Sequence, residues 1–337
     1  MKKPRIVSLL PSATEIVCAL GLRDCLVGRS HECDYPTDVA EVPVMTYSTL
    51  GIPLCPEDAT MSAAEIDKAV SAQLREGLSL YGLNYSALEL AKPDIIVTQE
   101  LCDVCAVSFS TVKQAVRDLS DKWQGFSAQV VSLEPTTIND IFATIITMGD
   151  LTDSTKIARG FVNNLQDRVE KLHDMLISVN HHPTIMALEW LDPPFAPGHW
   201  VPEQIELAGG KSALGEAGRP SKRTSWDNVI HCQPEMVVMM PCGYDLEGTL
   251  QQFETVKNNE VWQELPAPYL NQVCAVNATA YFSRPGPRVV DGAEILAGLI
   301  HPNLVPHPPP AVARRVQPFA LTEFVHGYQG LNASAFR

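Results

Sequence analysis

The sequence contains no run of the roughly 18 unbroken apolar residues that a membrane-spanning helix requires. It is also short of positive charge: 25 Lys and Arg stand against 39 Asp and Glu, leaving a formal net charge of −14. A chain this acidic is repelled by a phosphate backbone, and no basic run offers a grip on an anionic membrane. Nucleic acid binding and membrane insertion are therefore excluded as expectations. The familiar catalytic signatures are missing too. There is no G-x-S-x-G, no P-loop, no G-x-G-x-x-G and no H-E-x-x-H, and His31-Glu32 lacks a second histidine one helical turn on. The chain reads as non-enzymatic. No secretory leader is evident, because Pro11, Thr14 and Glu15 interrupt the apolar stretch that follows Lys2 and Lys3.

Cysteine is present in an odd number, 9, at positions 18, 25, 33, 55, 102, 105, 232, 242 and 274. A chain of 337 residues does not need disulfides to hold its core, and an odd set favours free thiols in a reducing compartment. The expected location is the cytoplasm, with the periplasm as the alternative.

What is present is the composition of a folded protein, 45% apolar and 19% charged, long enough for about two domains. Arg5-Ile6-Val7-Ser8-Leu9-Leu10 reads as a buried strand, followed by a turn and a helix from Glu15 to Leu20 that Gly21 stops. Strands are expected at Leu26-Val27-Gly28, Asp94 to Thr98 and Val130 to Leu133. Strands alternating with helical stretches predict βαβ units and a mostly parallel sheet. From about Ser154 to Val179 the apolar residues Ile157, Phe161, Leu165, Val169, Leu172, Leu176 and Val179 fall in steps of three and four. That spacing predicts one long amphipathic helix, a stiff connector. Beyond His181-His182-Pro183 the outline repeats, with a strand at Thr184 to Leu188, a helix at Val201 to Leu207 stopped by Gly209-Gly210, and a strand at Glu235 to Met239. Lys92-Pro93-Asp94-Ile95-Ile96-Val97 is echoed by Gln233-Pro234-Glu235-Met236-Val237-Val238, which suggests two similar lobes.

The fold class is thus α/β: two βαβ lobes joined by one long helix, with a ligand cleft between them. The expected divisions are an N-terminal lobe over 1–150, the connecting helix over 151–182, a C-terminal lobe over 183–303 and a proline-rich tail over 304–337.

Specific stretches resemble one family. RIVSLLPSATEIVCALG (Arg5 to Gly21), GHWVPEQIELAGG (Gly198 to Gly210), Thr224-Ser225-Trp226-Asp227-Asn228-Val229 with the following QPEMVVMMPCG, and FSRPGPR (Phe282 to Arg288) are similar to the helical-backbone, class III solute-binding proteins. These serve ABC importers of vitamin B12, haem and iron-siderophores, and the B12-binding branch matches best. The resemblance implies capture of a corrinoid such as cobalamin, with haem or an iron chelate next. Transport members carry an exposed glutamate on each lobe that docks to the permease. The matching positions are Ser86 and Asp227, so ABC permease docking is doubtful and a cytosolic relative is implied. An exported importer subunit is the alternative.

Strand ends predict the cleft lining. In the first lobe these are Leu10 to Thr14, Arg29 to Tyr35 and Gln99 to Cys105; in the second, Trp190 to Trp200, Pro241 to Tyr244 and Tyr281 to Arg288. The expected ligand-binding residues are Ser12, Arg29, Trp190, Trp200, Cys242 and Arg284. Tryptophans around a rigid proline-rich loop suit a flat macrocycle, and the arginines suit its carboxylate, amide or phosphate groups. Cys102 and Cys105 have C-x₂-C spacing, and His31 and Cys33 lie on a converging loop. Together the four are a candidate site for Zn or Fe, or contacts to a metal carried by the ligand. Buried structural thiols are as open a reading, a redox pair is a third and lesser one, and a metal-handling or thiol-redox protein is the rival function.

Overall fold

The structure is a computed structural model that describes residues 3–50, 63–76, 79–99, 108–122 and 127–318. The first lobe opens on β1 (Ile6–Ser8), buried throughout, which runs into α1 (Pro11–Ala19). Pro11 holds the first helical position, where its missing N–H costs no bond and its fixed φ suits the helix. There follow β2 (Leu26–Arg29), β3 (Thr46–Ser48), α2 (Ala63–Arg75), β4 (Tyr81–Leu83), α3 (Tyr85–Ala91), β5 (Ile95–Thr98), α4 (Phe109–Lys122), β6 (Gln129–Ser132) and α5 (Ile138–Leu151). The order β2-β1-β5-β6 is parallel throughout, while β3 and β4 pair antiparallel apart from it.

The connector is α6 (Thr155–Leu176), 22 residues, or about 33 Å at the α-helical rise. It stops short of the expected Val179: the apolar period continues through Ile177 and Val179, but the helix does not. Ala158, Val162, Leu165, Leu172 and Leu176 form its buried stripe. Gly149 of α5 lets the two helices touch, since a Cβ there would lie 2.4 Å from that of Ala158.

The second lobe comprises β7 (Thr184–Leu188), β8 (Trp190–Leu191), β9 (Pro194–Ala196), α7 (Val201–Leu207), β10 (Lys211–Ser212), β11 (Lys222–Arg223), α8 (Trp226–His231), β12 (Met236–Met239), α9 (Leu246–Val256), α10 (Pro266–Tyr269), β13 (Val273–Val276), α11 (Ala278–Tyr281), α12 (Val289–Ile300) and β14 (Ala313–Val316). Its main sheet runs β10-β7-β12-β13-β14, and only β14 is antiparallel. The proline-rich segment therefore supplies a strand, and this sheet extends past residue 303.

Counting strands within each sheet, both lobes begin second, first, third, fourth, and the second lobe adds β14 as a fifth. The sequence echo has a backbone cause. Lys92 (φ 43°) and Gln233 (φ 45°) both take the left-handed conformation after α3 and α8. A proline follows each, and this arrangement ends a helix and launches an extended strand. The fold is the two-lobed, mostly parallel α/β architecture expected from the sequence. One apolar core runs from α1 through α5 and α6 to α7, β12 and α12, joining Ile16, Ile145, Leu165, Ile205, Val238 and Leu296. Separate clusters pack the outer faces of the two sheets, around Leu88 and Ile96 in the first lobe and Phe253 and Trp262 in the second. Trp262 is fully buried, and Trp226 meets it edge-on at 5.6 Å.

Candidate ligand cleft

The carboxyl ends of β1, β2 and β5 carry the first-lobe loops, and those of β7, β12 and β13 the second. Each set flanks the place where strand order reverses, between β1 and β5 and between β7 and β12, where open α/β sheets take ligands. The two sets meet. Arg284, 10% exposed at its side chain, reaches across to Asp34 at 2.5 Å and donates to the Glu32 carbonyl at 3.1 Å. Arg288 donates twice to Glu15, at 2.9 and 2.6 Å. Its guanidinium lies 4.2 Å from the Tyr35 ring centre. Gly286 brings the second-lobe backbone against Ser12, whose Cα would be 3.4 Å from an added Cβ.

The expected ligand residues divide on this frame. Ser12 is buried in the first turn of α1 at the lobe seam, and Arg284 is committed to interlobe ion pairs. Arg29 turns back on its own loop, donating to the carbonyls of Ser30, Cys33 and Ala40. Trp200 sits in the shared core, 6% exposed, with Nε1 donating to the Phe282 carbonyl at 2.8 Å. Trp190 remains part-exposed. Its Nε1 donates to the Ala63 carbonyl at 3.2 Å, and it meets Tyr244 edge-on at 5.6 Å. Cys242 is exposed beyond β12, its N–H donating to the Glu189 carbonyl at 2.9 Å.

Cys102 and Cys105 lie outside the described residues. Cys33 is buried, and its neighbours fix its protonation. Ser8 Oγ donates to the Leu10 carbonyl and Thr14 Oγ1 donates to Ser8 Oγ. Only the thiol hydrogen is left to bridge the 3.0 Å between Cys33 and Thr14. Burial pushes the Cys33 thiol up to about 11. It is a poor thiolate, and the described residues hold no group of three His, Cys, Asp or Glu that would take a metal ion. Of the four expected metal residues only His31 and Cys33 are described, and these two do not by themselves make a site for Zn or Fe.

His31 is arranged differently. Thr46 Oγ1 donates to Ser30 Oγ and accepts the His31 backbone N–H, so the 2.7 Å contact with His31 Nδ1 needs a hydrogen on that nitrogen. Nε2 is then a bare lone pair, buried and without a hydrogen-bond partner among the described residues. Burial first, and the Arg29 charge second, lower the His31 pKa and keep the ring neutral. Gln99, at the end of β5 and 5% exposed, also buries an Oε1 that has no partner among the described residues. The Tyr81 hydroxyl donates to Glu32 Oε1 at 2.7 Å beside His31, and burial raises the Glu32 carboxyl. In the second lobe burial pushes the Glu189 carboxyl up to about 7, against donors from Ser221 and the Gly198 N–H.

Sequence reasoning missed Glu15 and Gln252 as parts of this junction; Asp34 and Tyr244 fall within the expected lining but were not singled out. Glu15 left a readable signal: a lone carboxylate in the apolar run around Ile16 and Val17 requires a cation. The cation itself is 273 residues away, beyond any local pattern.

The comparisons with known proteins agree with this geometry. The family model described as "Periplasmic binding protein" matches residues 6–279. The chain belongs to that family. A vitamin B12-binding protein of Vibrio cholerae is 23% identical over 298 residues, covering 86% of each chain. A solved periplasmic haem-binding protein from Pseudomonas aeruginosa superposes with a TM-score of 0.68 at 17% identity, covering 94% of this chain and 99% of that one. A possible iron-binding periplasmic solute-binding protein from Staphylococcus epidermidis gives 0.64 at 22% identity, covering 89% and 100%. These structural likenesses establish the fold. The cytoplasmic placement read from the sequence finds no support among these relatives, two of which are periplasmic by name.

Proposed function

We propose that this chain is a capture protein that binds a flat metal-bearing macrocycle, a corrinoid first and haem or an iron chelate next, between its opposed strand mouths without changing it chemically. The observation that carries this reading is the meeting of two sets of strand-end loops over one continuous core, with buried polar atoms at the first-lobe mouth that find no partner among the described residues. Trp190 and Tyr244 supply the aromatic face, where ring contact buries large area at low entropic cost. Gln99 Oε1 accepts from a ligand amide. His31 Nε2 offers its lone pair to the metal that the ligand carries. Arg284, Ser12 and Trp200 hold the lobes and core around the seat instead of gripping the ligand.

The test is a titration of the purified protein with cyanocobalamin, hemin and a ferric hydroxamate chelate, followed by absorption and calorimetry. Equimolar binding of one probe is expected, weakened about tenfold or more, ~1.4 kcal/mol, by Trp190→Ala. Failure of all three to bind overturns the reading.

Delivery to an ABC importer is a second reading, favoured by one observation. Ser86 and Asp227 are each the second residue of their helix, exposed, behind matching N-caps at Asn84 and Ser225. Such a role needs a location outside the cytoplasm, which cell fractionation checks directly.

A further inference from the structure

Helix α2 bridges the two lobes, and its two ends are held by different partners. Near its C-terminal end Gln73 Nε2 donates to Thr49 Oγ1 at 2.7 Å and to the Ser79 carbonyl at 2.8 Å. Val70 rests part-buried on the first-lobe core. At the N-terminal end the contacts are to the second lobe. The Ala63 N–H donates to Gln252 Oε1 at 3.1 Å, and its carbonyl accepts Trp190 Nε1. One turn on, both Asp67 oxygens accept Arg223 Nη2, at 2.8 and 2.9 Å. Arg223 is steadied by Phe195 of β9, whose ring centre lies 5.4 Å away. Gln252 Nε2 in turn donates to the Tyr244 hydroxyl at 3.4 Å.

This end of α2 therefore covers Trp190, Tyr244 and Gln252. It covers them with polar groups. Ala63 is fully buried, but Ala64, Glu65, Lys68, Ala72 and Arg75 are exposed. A helix fixed by core packing resists removal, whereas one fixed by hydrogen bonds and a half-exposed ion pair exchanges those contacts for water at small cost. Segments with few buried apolar contacts are the ones that open locally.

We infer that α2 is a strap, hinged on the first lobe at Gln73 and latched on the second at Ala63 and Asp67, which lies over the Trp190–Tyr244 platform and lifts as a unit to admit a flat ligand. The ligand takes over the Trp190 indole N–H and the Gln252 amide that Ala63 occupies in the closed form. The covering role rests on the ligand seat proposed above; the lifting of the helix does not.

The test uses the full chain and the variant Asp67→Ala, followed by hydrogen–deuterium exchange and by stopped-flow mixing with cyanocobalamin and with hemin. Amides of residues 63–75 are expected to exchange several-fold faster in the variant, with β1 and β7 unchanged. The probe that binds is expected to associate several-fold faster. Unchanged exchange over 63–75, or loosening of all segments together, overturns the strap. Faster exchange with an unchanged association rate overturns its covering role. Faster exchange with no probe bound by either protein upholds the strap and overturns the ligand reading alone.

Discussion

Two of the seams along which the lobes touch differ in kind. At the inner seam the Glu15 side chain is 3% exposed and receives Arg288 through two hydrogen bonds, with Arg284 held at 3.5 Å. At the outer seam Arg223 is 52% exposed and meets Asp67 in view of water. A buried pair is not a large source of stability, because its charges have lost their hydration; removing one partner, however, strands the other. An exposed pair is screened and dispensable. The seam beside the shared core thus demands both partners, while the seam at α2 tolerates separation.

The sharpest way to break that contrast is Glu15→Ala. It leaves Arg288 without its carboxylate and Arg284 with Asp34 alone, and a loss of about 3–5 kcal/mol is expected in urea denaturation. A loss near that of a surface variant would show that the inner seam is not special. Glu189 sharpens the contrast from the other side, since among the described residues no cation pairs with it. Its folded pKa of about 7 lies above the ordinary 4.5. The folded state therefore keeps a proton that the unfolded state has lost. Stability falls as pH rises from the ordinary value through about 7, by at most about 3 kcal/mol. Glu189→Gln should remove that slope, measured as melting temperature against pH. The smallest effect is expected at the outer seam. A double-mutant cycle on Asp67 and Arg223 should give a coupling below about 1 kcal/mol, reduced further by added salt.

Parts of this fold were legible in the sequence for definite reasons. β7 and α7 are found at their expected bounds because Pro183 and Glu189 bracket the apolar run of β7 and Gly209-Gly210 closes α7. The two lobes were visible through Lys92-Pro93 and Gln233-Pro234, where local backbone chemistry repeats. β8, β9 and β11 escaped because strands of two or three residues show no alternation. The strand in the proline-rich segment escaped because proline argues against a sheet, and β14 begins only after the last of Pro308, Pro309 and Pro310. The cleft was legible as a set of strand ends, but the fate of each side chain was not. Trp190 and Trp200 flank the same loop, and only tertiary packing sends Trp200 to the core and leaves Trp190 part-exposed under α2. Arg284 looked like a ligand grip because Asp34, its partner, is 250 residues away.

β14 has a consequence for how this protein behaves in a crowded solution. Its outward border carries Arg314 and Arg315 beside the apolar stretch of β13. Charged border strands discourage a second molecule from adding its own backbone to the ladder. A chain cut after residue 303 would trade that guard for Val273–Val276, a bare and wholly apolar margin, and would be prone to clump.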